Sequence, residues 1–211
     1  MRSWGARRLL LSLVCLTCAI AACAQEAPRT ALDLLRDPSW NYGFQAYGGT
    51  ATKSTPPIPD GPGRYPSSWG AEFHLGRVLT GEHGEGWRRG TLEWDFTVIP
   101  VVEYYVNGHH YYMGGLEAVS PRWNFTRMDK RVVPFIGFDG GTLFGPNKFP
   151  PGNTAQANFT AALEAGTHFF TKGRQSFDTS IRLHHFSNAE TGQYNPGIPL
   201  SIQLMVGYTW F

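Results

Sequence analysis

The stretch Leu92-Glu93-Trp94-Asp95-Phe96-Thr97-Val98 alternates apolar and polar side chains without a break. A period of two is that of a β-strand, whose successive side chains point to opposite faces. The stretch lies in a longer run, Thr91 to Val106, that meets a turn at Asn107-Gly108. Outward from it the same alternation recurs, and strands are expected over Tyr42–Ala51, Trp69–Leu79, Tyr112–Phe125, Val132–Phe144, Asn158–Phe170, Gln175–Ser187 and Leu200–Trp210. Pro134 weakens the fifth strand and suggests an edge or a bulge. The connections mostly alternate between longer and shorter. Lys53–Ser67 and Gly145–Ala157 are long and rich in Pro and Gly, whereas Arg127–Lys130 and Thr171–Arg174 are short; the polar Gly81–Gly90 turn is the main irregularity.

Eight such strands can bury their apolar face in two ways. In a water-soluble sandwich the apolar face is the core and the polar face meets solvent. In a transmembrane barrel the arrangement inverts, with the polar face inside and the apolar face on lipid. Here the polar face carries Glu72, His74, Glu93, Asp95, Glu117, Glu164, His168, Arg182 and His184.

The N-terminal residues favour the barrel. Arg2, Arg7 and Arg8 precede an apolar run from Leu9 to Ala21, and Ala22-Cys23-Ala24 offers a small-residue cleavage site, so residues 1–24 read as a signal peptide. Ile20-Ala21-Ala22-Cys23 also resembles a lipobox, which would put a lipid on Cys23. All three cysteines, Cys15, Cys18 and Cys23, fall before Gln25. Cleavage after Ala24 would leave an exported domain without disulfides, stabilised by its own packing or by a membrane. Residues 25–40 read as a lead-in in which Ala31, Leu32, Leu34 and Leu35 suggest a short amphipathic helix, and residues 41–211 as the barrel. No later segment holds 18 consecutive apolar residues, so a transmembrane helix is not expected. The chain without residues 1–24 has 15 basic and 16 acidic residues, which argues against nucleic acid as a partner.

The last strand, Leu200 to Trp210, alternates and is followed by Phe211, with Tyr208 two residues before Trp210. It resembles the terminal strand of bacterial outer-membrane barrels, which commonly ends in Phe with an aromatic residue two positions earlier. Trp69, Trp94, Trp123 and Trp210 then read as interfacial girdle residues.

Chemistry concentrates in Ile181-Arg182-Leu183-His184-His185-Phe186-Ser187-Asn188. His185 and Ser187 share parity with Ile181 and Leu183 and so face lipid in a barrel. Odd-numbered strands run outward if the N-terminus starts in the periplasm, which puts the pair at the extracellular rim. His185 could take the Ser187 proton while the hydroxyl attacks an acyl carbonyl, and Asn188 and Asn195 could donate to the oxyanion. The alternative is that a rim histidine is only an interfacial polar group. His109-His110 and His184-His185 cannot chelate as pairs, because adjacent strand residues face opposite ways, so neither a metal nor another cofactor is expected.

His185-Phe186-Ser187-Asn188-Ala189, followed by Asn195-Pro196-Gly197 and the aromatic-ended strand, resembles the lipid A 3-O-deacylase (PagL) family, also described as acyloxyacyl-hydrolase-like. The resemblance implies an eight-stranded outer-membrane barrel that releases an ester-linked acyl chain from lipid A of lipopolysaccharide. It makes His185 the base and Ser187 the nucleophile, with Asn188 and Asn195 lining the oxyanion hole. That family has a glutamate a few residues after the Asn-x-Gly segment, and Gly197-Ile198-Pro199-Leu200-Ser201-Ile202-Gln203 holds no carboxylate. Three alternatives stay open: Glu190 substitutes, a backbone carbonyl or Gln203 orients His185, or the enzyme is slow or inactive. A non-catalytic barrel with a structural or adhesive role is the competing reading. Whether the chain forms a homodimer is also open.

Overall fold

Every stretch with the two-residue period forms a strand in the computed structural model, which describes residues 30–52, 65–127, 131–150, 152, 155–171 and 173–211. The expected signal peptide and most of the Lys53–Ser67 loop lie outside the described residues. The strands are β1 (Ser39–Ala51), β2 (Ser67–Val78), β3 (Thr91–Val106), β4 (His109–Asn124), β5 (Val132–Phe144), β6 (Ala157–Phe170), β7 (Gln175–Ser187) and β8 (Ile198–Trp210). Each pairs antiparallel with the next, and β1 pairs with β8 to close the barrel. Closure leaves no unpaired edge, so Pro134 is not at one. It sits where the β4–β5 ladder ends, one residue beyond the Asn124–Phe135 pair: its carbonyl accepts from the Phe125 N–H at 2.8 Å, and with no N–H to return the bond the pairing stops there.

β4 begins at His109, three residues before the alternation becomes legible. Asn107 and Gly108 both adopt positive φ, 52° and 83°. That is the geometry of a two-residue hairpin whose twist matches the strands it joins, so pairing resumes at once with Val106 opposite His109.

The faces decide between sandwich and barrel. Leu204 is 66% exposed and Leu163 62%, whereas Glu72, Glu93 and Glu117 are each 1% exposed. The charged face is therefore the interior and the apolar face the exterior. The chain is a transmembrane β-barrel of the outer-membrane type, polar within and apolar toward lipid. No described helix is long and apolar enough to cross a membrane.

The interior has three layers. At its centre the Arg182 guanidinium donates two hydrogen bonds to Glu72, at 3.0 and 3.1 Å, and lies 3.4 Å from Asp139, 3.7 Å from Glu164 and 3.9 Å from Glu117. Arg122 joins Asp95 at 3.0 Å. Toward the end that holds the tips of β1, β3, β5 and β7, the lumen is plugged by apolar side chains that include Tyr104, Phe149, Phe186, Ile198 and Met205. At the opposite end helix α1 (Ala31–Arg36) closes the barrel. Thr30 and Asp33 form a reciprocal capping box at its start. Ala31, Leu34 and Leu35 turn inward against Val78, Val133, Phe170 and Phe211, and the Leu35 carbonyl accepts a 2.9 Å hydrogen bond from the buried Thr91 hydroxyl.

Candidate active site at the outer rim

The facing of the last residues of β7 is set by Phe186. Its side chain is fully buried in the apolar plug, with ring centroids 5.6 Å from both Tyr104 and Phe149. Strand alternation then turns its neighbours His185 and Ser187 to the outside. His185 is exposed and Ser187 half-buried, on the same face as the exposed Ile181 and Leu183. Two residues of extended chain separate their Cα atoms by about 6.6 Å, within reach of an imidazole leaning along the strand.

The histidine has a partner that is not a carboxylate. Opposite β8 the register shifts: His184 faces Ser201 and Phe186 faces Ile198, so His185 meets two residues, Pro199 and Leu200. This extra residue is a β-bulge on β8, and a proline with no N–H to lose is well suited to it. The bulge brings the Pro199 carbonyl 3.0 Å from His185 Nδ1. A carbonyl only accepts, so Nδ1 is the donor, and in the neutral ring Nε2 is the nitrogen that keeps its lone pair. That is the tautomer a general base requires.

The loop after β7 folds back over the serine. Gly197 adopts φ +58°, and a Cβ built there would lie 3.6 Å from the Ser187 Cβ and 3.0 Å from the Phe186 carbonyl. Asn188 is fully buried and organises this loop. Its backbone N–H donates to Asn195 Oδ1 at 3.0 Å, its Nδ2 donates to the Tyr194 carbonyl at 2.9 Å, and its Oδ1 accepts from the Glu190 N–H at 2.9 Å. Asn195 thus offers its carboxamide oxygen to the loop, and its amide nitrogen is on the other branch of the same group.

The remaining candidates stand apart from His185. Gln203 is 1% exposed and faces the lumen opposite Arg182, on the other side of the β8 wall. It cannot orient an outward histidine, because alternation puts it on the wrong face. Glu190 is exposed at φ +61°, and no hydrogen bond or ion pair joins it to His185 among the described residues. The outward positions of β8 beside the histidine are Pro199, Leu200 and Ile202, with no acid. His184 is buried in the lumen. His110 bonds Glu103 at 2.6 Å. Among the described residues no cluster of three or more His, Cys, Asp or Glu could hold a metal ion.

Below the pair, the outer wall is apolar. Ala161 lies beside His185 and Phe159 beside Ser187 across the β6–β7 ladder, followed by the exposed Leu163, Leu183 and Ile181. Ala161 is the small residue between Phe159 and Leu163 on this face. Strand parity gives His185 and Ser187 from the sequence, and a backbone carbonyl was among the groups expected to orient the histidine; that it is the one of Pro199 was not legible, because a backbone carbonyl has no signature in side-chain type. The proline next to a strand start was the one available hint of a bulge.

Similarity to a solved structure agrees with this architecture. A crystal structure of the outer membrane enzyme PagL superimposes with a TM-score of 0.53 at 16% identity, covering 80% of this chain and 99% of that one. Neisserial surface protein A, from Neisseria, follows at a TM-score of 0.47 and 13% identity, covering 82% and 97%. No curated protein sequence matches the chain. The sequence model of the lipid A 3-O-deacylase (PagL) family matches residues 60–209, which span the barrel from the loop before β2 to the end of β8. On that match over most of its length, carrying the His185-x-Ser187 pair at the rim, the chain belongs to the lipid A 3-O-deacylase (PagL) family.

Proposed function

We propose that the protein is an outer-membrane esterase that removes an ester-linked acyl chain from lipid A, with Ser187 as nucleophile and His185 as general base. The observation that carries this reading is the Pro199 carbonyl on His185 Nδ1, which fixes a base-competent tautomer two residues from an outward serine. The Ser187 oxygen attacks the acyl carbonyl carbon while Nε2 takes its proton. The tetrahedral intermediate collapses with loss of the sugar oxygen, which recovers that proton from the imidazolium. Water, activated by the same Nε2, then cleaves the acyl-enzyme and releases the fatty acid. Asn195, through its Nδ2, is the oxyanion donor in this scheme. Asn188 supports it indirectly, since its N–H holds the Asn195 oxygen. The apolar wall formed by Phe159, Leu183 and Ile181 receives the acyl chain, which reaches the pair laterally from the outer leaflet.

A carbonyl preserves the tautomer but adds no negative charge. Where a triad carboxylate is replaced by an amide, most of the loss comes from the wrong tautomer; a carbonyl acceptor avoids that loss and forgoes only the stabilisation of the imidazolium. The proposed enzyme is therefore competent without Glu190 or Gln203. The absence of any acid on the outward face of β8 favours one competing reading, a barrel that has kept the fold and lost the activity. Purified protein in detergent micelles mixed with lipopolysaccharide separates the two. Fatty-acid release by the wild type that disappears in Ser187→Ala and His185→Ala supports catalysis, and equal release from all three sinks it.

A further inference from the structure

Away from the rim site, the opposite end of the barrel carries a groove on its outer face, of about 450 Å³, lined by Trp87, Phe125, Arg127 and Pro134. Phe125 follows the inward Asn124 and so points outward, and it lies beside Pro134 at the start of β5. The long connection between β2 and β3 leans over them. It is tied down by the paired backbone hydrogen bonds of His83 and Gly90 and by the Arg89 carbonyl, which accepts from the Thr126 N–H at 3.0 Å. Its 3-10 turn, Gly86–Arg88, projects Trp87 across the groove, where the indole stacks on Phe125 at 6.3 Å and 24°.

Trp87 is 67% exposed, more than any other large hydrophobic side chain described. Such exposure in a connecting segment carries a hydration cost that a soluble surface would avoid. It is favourable where an amphipathic ring lies between headgroups and acyl chains. Among the described residues Arg36, Arg88, Arg89 and Arg127 outnumber Glu82 and Glu85 around the groove. Arg89 and Arg36 both pair with Glu82, but Arg88 lies over the Trp87 ring at 5.7 Å and Arg127 lines the groove. Neither Arg88 nor Arg127 has an acidic partner among the described residues. Arg77 over Trp40 at 5.1 Å repeats the arginine-on-tryptophan pairing elsewhere on the same rim. In the orientation that puts His185 and Ser187 outside, this rim meets the periplasmic leaflet.

We propose that this groove binds an anionic glycerophospholipid of the periplasmic leaflet. Its phosphodiester is held by Arg127 and Arg88, and its glycerol and upper acyl carbons lie against Trp87, Phe125 and Pro134. A guanidinium presents paired donors that match a phosphate, and two cations with no acidic partner among the described residues make the groove selective for net negative charge. A zwitterionic lipid would fill the apolar part but bring its own ammonium toward the arginines. The proposal does not depend on deacylation, because the groove and the Ser187 rim lie at opposite ends of the barrel.

The test is retention of lipid by the detergent-purified full-length protein, exposed to equal amounts of phosphatidylglycerol and phosphatidylcholine and read by native mass spectrometry. At about 1 kcal/mol for each arginine near the headgroup, the wild type retains the anionic lipid with a preference of about thirtyfold. Arg88→Gln/Arg127→Gln should bring that preference close to one, and Trp87→Ala should lower retention of both lipids. Heat-modifiable gel migration, unchanged in the variants, shows that the barrel is intact. A second measurement uses the wild type alone: phosphatidylglycerol with brominated acyl chains should quench tryptophan emission more than brominated phosphatidylcholine at equal content. No preference in the wild type, or a preference that the double variant keeps, overturns the proposal.

Discussion

Phe186→Ala tests whether the apolar plug holds the rim pair in place. Phe186 is fully buried and touches Tyr104 and Phe149 with both centroids at 5.6 Å. Truncating a buried phenylalanine costs about 3–5 kcal/mol, and each lost ring pair accounts for about 0.5–1.5 kcal/mol of it. We expect a loss of about 4 kcal/mol in barrel stability, measured by urea titration of the protein in micelles or vesicles. The functional loss should be disproportionate. His185 and Ser187 flank Phe186, and a displacement of about 1 Å in a positioned pair costs on the order of a hundredfold in rate. Fatty-acid release should therefore fall about a hundredfold under conditions in which the variant is still folded, as judged by heat-modifiable migration. Phe186→Leu, which keeps most of the apolar volume, should recover much of both losses. The reasoning fails if Phe186→Ala is destabilised as expected but releases fatty acid at the wild-type rate. The plug would then stabilise the barrel without positioning the pair.

Other outcomes follow from the same geometry. Arg182→Met leaves Glu72, Asp139, Glu164 and Glu117 without their shared cation, and barrel stability should fall by about 3–5 kcal/mol in the same titration. Glu190→Gln should change fatty-acid release less than twofold, roughly the noise of a surface substitution; a large loss would restore Glu190 as the acid. Asn195→Ala should lower kcat by about a hundred- to a thousandfold with little change in KM, as for an oxyanion donor. Gly197→Ala forces a side chain into left-handed backbone and against the Phe186 carbonyl, at about 1–2 kcal/mol, and should slow release while leaving the strands intact by circular dichroism.

The strands and their facing were legible because the period of two is a local property. Leu92 to Val98 needs no knowledge of its neighbours to declare one apolar and one polar side, and the same holds for the parity of His185 and Ser187. An N-terminal stretch that reads as an export signal, the cysteine-free remainder and the aromatic-ended last strand turned that pattern toward the inverted, membrane-spanning arrangement, which the exposure of Leu204 and the burial of Glu72 bear out. What alternation could not carry was anything that depends on register between strands. The partner of His185 is a main-chain atom delivered by a bulge on β8, and bulges are set by how two ladders close around the whole barrel. The same holds for Gln203, which is close to His185 in β8 numbering yet lies across the wall from it.

The sequence by itself thus determined a set of two-faced strands, their order, and an outward serine and histidine at the end of the seventh. The tertiary structure alone decided what the histidine leans on, what anchors the strand between His185 and Ser187, and which asparagine is committed to the loop. The physical reason is range. Side-chain alternation follows from the geometry of one extended chain, whereas the Pro199 hydrogen bond, the Phe186 contacts with Tyr104 and Phe149, and the Asn188 network each join atoms brought together only when the barrel closes.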